Sequence, residues 1–134
     1  MSQQATRTTP RARPTSPHLT VYRWPATMLM SILHRITGGA LYVGTILVVW
    51  WLVAAASGPD AFSYASWFFG SILGRLILFG YSWALIQHAA GGVRHFIWDT
   101  GSYMGKEQST TMALATLAVS LVLTVILWIA VIVI

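Results

Sequence analysis

The run Gln87-His88-Ala89-Ala90-Gly91-Gly92-Val93-Arg94-His95 sets one imidazole among small residues inside a long apolar stretch. At helical periodicity Ala84, His88, Gly91, Gly92 and His95 share a face. Such a face admits a large flat group, and neutral imidazole is a common axial ligand of haem iron. His88 lies seven residues deeper than His95, about 10.5 Å of helix. That offset suits iron at His88 and the haem carboxylates near Arg94 and His95, where a guanidinium offers a planar fork of donors. The same pattern is also met by a histidine that hydrogen-bonds a neighbouring helix, with glycines that only permit close packing. Arg94 and His95 are equally consistent with charged residues that mark a membrane interface.

A second cluster, Ser31-Ile32-Leu33-His34-Arg35, is followed by Thr37-Gly38-Gly39. Ser31 and Arg35 are four apart and adjoin on a helix. A hydroxyl and a guanidinium at a membrane surface make a donor pair for the oxygen of a quinone head whose tail stays in lipid. A helix cap with one more interfacial arginine is the alternative. If the helices bearing them run oppositely, His34 and His95 reach similar depth, and both come within range of haem propionates. On this reading His34 and His95 stand about two turns from His88 along the membrane normal, and His18 lies outside the bilayer. None suits the position opposite His88, so a second ligand is expected from another polypeptide.

The elements that must position these residues are membrane helices. Of 134 residues, 56% are hydrophobic and only 8% charged, and the mean hydropathy is +0.67. Soluble domains carry about 25% charged residues, so the composition argues against a soluble enzyme. The absence of cysteine excludes disulfides, thiol catalysis and iron-sulfur clusters held by this chain. No glycine-rich phosphate loop, serine-nucleophile motif or internal repeat is present, and the chain is not expected to catalyse a reaction alone.

Hydropathy predicts an all-α membrane protein with three transmembrane helices, over about 26–56, 62–98 and 110–134. They would form part of a heteromeric helical bundle. Residues 1–20 read as an extended basic segment, rich in Pro, Ser, Thr and Arg and unlike a secretory signal. Residues 21–134 read as the three-helix anchor. The net charge is +5. Arg7, Arg11, Arg13, Arg23, Arg35, Arg94 and Lys106 fall on one side of the predicted bundle and only Arg75 on the other. This asymmetry predicts a cytoplasmic N-terminus and a periplasmic C-terminus, and it does not resemble a nucleic-acid face. Arg75 would sit at an interface, because Leu76 to His95 spans about 30 Å of helix. Trp24, Trp50, Trp51, Trp67, Trp98 and Trp128 lie near predicted span ends, and Trp83 does not. Gly70 with Gly74, and Ala40 with Gly44, form small-residue pairs assigned to helix packing.

Arg13-Pro14-Thr15-Ser16-Pro17-His18-Leu19, Ser31-Ile32-Leu33-His34-Arg35-Ile36-Thr37-Gly38, and His88 with Gly92-Val93-Arg94-His95 and Trp98-Asp99 together carry a resemblance. The chain resembles the cytochrome b-type membrane anchor of succinate dehydrogenase, respiratory complex II, from about residue 13 through Tyr103. The resemblance implies one anchor of a four-subunit succinate:quinone oxidoreductase in the bacterial inner membrane. A flavoprotein with FAD and an iron-sulfur subunit would be partners, with a second small anchor supplying the other ligand of a shared haem b. It also implies Ser31, Arg35 and Trp24 at the quinone site, His88 as the axial ligand, and His34, Arg35, Arg94 and His95 beside the propionates. A fumarate reductase anchor and a haem-free structural adaptor are the competing expectations.

Overall fold

The computed structural model describes His18 and residues 21–133. Most of the expected basic segment, residues 1–17 included, lies outside the described residues. The chain forms α1 (Ala26–Ser57), α2 (Pro59–Gly70), α3 (Ile72–Asp99) and α4 (Lys106–Val133). The all-helical expectation holds: α1, α3 and α4 are each long and apolar enough to cross a membrane.

Local chemistry sets the helix ends. Pro25 precedes α1, and its carbonyl accepts from the N–H groups of Met28 and Leu29 at 3.0 and 3.2 Å. At the far end Gly58 adopts φ +114°, a conformation that suits a residue without a Cβ, and Pro59 then starts α2.

The stretch expected as one span over 62–98 is two helices. Ser71 interrupts it with extended backbone at ψ 161°. Its hydroxyl donates to the Phe68 carbonyl at 2.6 Å and accepts from the Gly74 N–H at 3.1 Å, capping α3. A Cβ on Gly74 would collide with the Phe68 carbonyl oxygen, so the junction closes only because residue 74 is glycine. At 12 residues, α2 covers about 18 Å and is too short to cross a bilayer. The crossing element is α3 alone, with Arg75 exposed in its first turn.

α3 packs between α1 and α4 and runs antiparallel to both. His34 meets His88 while Trp50 meets Phe68 and Phe69 at the other end. Gln87 bonds Ser120 while Ser82 accepts from Trp128. The interior consists of small and polar residues, among them Ala54, Ala84, Ala113, Thr37, Gln87 and Ser120, whereas the large aliphatic side chains of α1 and α4 face outward. Lipid offers no hydrophobic drive for association, so small residues that let backbones approach fill such interfaces. Gly44 is one: a Cβ there would collide with the Tyr81 ring. Its expected companion Ala40 is exposed, and a Cβ on Gly70 would meet nothing.

Candidate functional site

Three histidines converge near the N-terminal end of α1. The His34 and His88 rings stack with centroids 3.9 Å apart at 25°, and His95 meets His34 edge-on at 5.3 Å and 79°. Two glycines permit this. A Cβ on Gly91 would come within 2.5 Å of His34 Cδ2, and one on Gly38 within 3.1 Å of His88 Cε1. Gly38 thus stands opposite His88, and His34 opposite Gly91.

This register corrects one expectation. His34 does not share the level of His95, two turns from His88; it lies about one turn from His88, close enough for ring contact. Hydropathy locates a span but leaves the sliding of one helix against another undetermined, and the glycine contacts set it here. His34 still does not serve as a ligand opposite His88. Imidazole lone pairs lie in the ring plane, so two face-stacked rings do not clasp an ion between them.

The His88 ring is oriented through Nδ1, which lies 3.1 Å from the His34 carbonyl oxygen and 3.3 Å from Thr37 Oγ1. A carbonyl only accepts, so this contact is a hydrogen bond in the tautomer that carries its proton on Nδ1 and keeps the lone pair on Nε2. Histidine ligands of metals are typically held this way, with the second ring nitrogen donating to a carbonyl or carboxylate. The Nδ1 contacts therefore fit a haem iron at His88 Nε2, and glycine at 38 and 91 makes room for the two imidazole rings.

The other expected residues are distributed around this cluster. Ser31 is half-buried and Arg35 exposed on α1, four residues apart on one face, and His95 is exposed on α3. Trp24, 40% exposed, lies two residues before α1. Arg94 stands apart. It is 3% exposed, with its guanidinium carbon 5.0 Å above the Trp98 ring, and it borders a groove between α3 and α4 with Ala90, Val93, Met112 and Thr116. Its Nε and Nη1, and Nε2 of His34, have no hydrogen-bond partner among the described residues.

Sequence reasoning gave no role to Thr37 and Gln87. Thr37 is 2% exposed beside His88. Gln87 accepts from the Ser120 hydroxyl at 2.5 Å and points its amide toward Met30 Sδ at 4.0 Å, tying α3 to α4 and α1 next to the histidine. An amide beside a histidine in an apolar helix was the available signal for Gln87. Thr37 stands within the motif over residues 31–38, but its place beside His88 follows only from the helix register.

Residues 9–127 match the family model described as succinate dehydrogenase/fumarate reductase transmembrane subunit. The chain belongs to this family. It is 48% identical over 113 residues to the succinate dehydrogenase cytochrome b556 subunit of Paracoccus denitrificans, covering 84% of this chain and 87% of that one. The corresponding subunit of Rickettsia prowazekii is 36% identical over 117 residues, covering 87% and 91%. The mitochondrial cytochrome b560 subunit of Sus scrofa is 37% identical over 110 residues, covering 78% of this chain and 63% of its own length. Within the family, this chain is a cytochrome b anchor subunit of complex II, part of an enzyme complex, and a multi-pass protein of the bacterial inner membrane.

Proposed function

We propose that this anchor subunit holds the flavoprotein and iron-sulfur subunits of a succinate:quinone oxidoreductase at the membrane, and that it contributes to both the quinone-reduction site and a haem b site. The observation that carries the haem assignment is the 3.1 Å approach of His88 Nδ1 to the His34 carbonyl oxygen, which favours the tautomer that leaves Nε2 as a ligand. His34, Arg35 and His95 are the propionate-side residues on this reading. Arg94 joins them only if its buried guanidinium turns from the Trp98 face. A bound haem b would supply a one-electron redox centre. His88 would hold the iron from this chain, and the stacked His34 is misdirected for a second ligand, so that ligand would come from a second small anchor.

Ser31 and Arg35 are the quinone-facing pair, with Trp24 at the edge of the same site. The Arg35 guanidinium favours negative charge as it develops on a quinone oxygen, and the Ser31 hydroxyl donates a hydrogen bond to it. Both are donors in place before electrons arrive. The N-terminus is cytoplasmic, on the side where the soluble subunits dock. The names of the relatives favour succinate oxidation as the working direction over fumarate reduction.

Two variants test the proposal in the purified complex. Arg35→Ala is expected to assemble and to oxidise succinate with a soluble dye while losing quinone reduction; equal loss of both activities overturns the quinone assignment. His88→Leu is expected to lose or alter the b-type band. An unchanged reduced-minus-oxidised spectrum removes His88 as ligand, whereas a purified native complex without any b-type band would favour the haem-free adaptor.

A further inference from the structure

The His88 ring is fixed on three sides, and only one of the fixing groups is a side-chain hydroxyl. Its face rests on the His34 ring at 3.9 Å, and Cε1 is opposite Gly38, where a Cβ would stand 3.1 Å away. Its Nδ1–H lies between the His34 carbonyl at 3.1 Å and Thr37 Oγ1 at 3.3 Å. Thr37 is 2% exposed, and its own proton is committed within α1, with the carbonyls of Leu33 and His34 at 2.9 and 3.0 Å. With that proton directed to Leu33, an Oγ1 lone pair faces His88. The His34 carbonyl has a competing claim, since in an α-helix it also accepts from the N–H four residues on. Thr37 thus supplies the acceptor that the helix backbone does not already use.

We propose that Thr37 is a positioning residue for the haem ligand: its hydroxyl shares the Nδ1–H of His88 with the His34 carbonyl, fixes the rotation of the ring, and thereby tunes the potential of the bound haem. This rests on the assignment of His88 as axial ligand. Hydrogen-bond donation from the non-ligating nitrogen raises the basicity of the ligating one. A more basic ligand favours ferric over ferrous iron, so Thr37 lowers the potential.

The test compares Thr37→Val, which keeps the shape and removes the hydroxyl, with Thr37→Ser, which keeps the hydroxyl, each in the purified four-subunit enzyme. Assembly is verified by dye-linked succinate oxidation. Thr37→Val removes one of the two Nδ1 partners and leaves the His34 carbonyl. The oxidised-to-reduced ratio at a given applied potential should fall, by up to about tenfold, equivalent to a rise of up to about 59 mV for one electron. The paramagnetic resonance g-values of the oxidised haem, which report imidazole orientation, should move with it. Thr37→Ser should stay at the native values. Haem lost from assembled Thr37→Val but kept in Thr37→Ser supports the same role.

Native potential and g-values in Thr37→Val overturn the proposal, as does an equal effect in both variants, which would make side-chain volume the cause. His88→Leu separates the two levels. If it loses haem while Thr37→Val is unchanged, only the Thr37 role fails. If it keeps native haem, the ligand assignment fails first.

Discussion

At the residue scale, His34 and His88 meet face to face because the two positions where a side chain would separate them, Gly38 and Gly91, have none. This predicts an asymmetry among glycines that look alike in sequence. Gly91→Val drives a branched Cβ toward His34, where even a single Cβ carbon would approach the ring to 2.5 Å. The expected result is loss or displacement of the b-type absorbance in an assembled complex. Gly80→Ala, whose new Cβ meets nothing within the chain, should leave the spectrum native. Equal spectra for the two variants would contradict the histidine packing. The chemistry-bearing residue types were legible in the sequence, because spacing of three, four and seven places His34, His88 and His95 on helix faces without further information. Thr37 was not. Its relation to His88 depends on how far α1 slides along α3, and no pattern internal to either helix encodes that distance.

At the scale of elements, two junctions illustrate what hydropathy averages away. Residues 62–98 read as one apolar stretch, yet the Ser71 hydroxyl offers the backbone a local alternative to helix by bonding Phe68 and Gly74. Ser71→Ala should cost about 1 kcal/mol, the usual worth of such a cap, and Ser71→Gly only a few tenths. Thermal unfolding of the complex checks the order, and an Ala variant as stable as the native protein would remove the cap from the account. The α3–α4 seam relies on a buried pair, Gln87 with Ser120, 1% and 0% exposed. Ser120→Ala should destabilise by about 1 kcal/mol, between the average interhelical hydrogen bond in membranes, about 0.6, and the cost of a stranded buried polar group, up to about 3. Combining it with Gln87→Leu should cost less than the sum of the single changes, since the pair then disappears together. Additive losses in a double-mutant cycle of denaturant unfolding would show that the two do not couple.

At the scale of the whole molecule, three crossings would put the chain ends on opposite sides, and the charge distribution predicts which is which. Arg23, Arg35, Arg94 and Lys106 cluster at the end where α1 and α4 begin and α3 finishes, while Arg75 alone stands near the Gly58 turn and the Ser71 junction. Basic residues close to span ends are retained on the cytoplasmic side, so the histidine cluster should lie toward the cytoplasm, within reach of soluble subunits that deliver electrons from that side. The absence of native cysteine makes this directly measurable. Single cysteines at Ser102, exposed in the α3–α4 connection, and at Ala56, exposed near the end of α1, can be probed with a membrane-impermeant maleimide. Ser102→Cys should label only in inverted vesicles, and Ala56→Cys only in spheroplasts. The reverse pattern would place the proposed quinone donors and haem ligand on the periplasmic side, away from the electron supply, and would require a different docking face for the succinate-oxidising subunits.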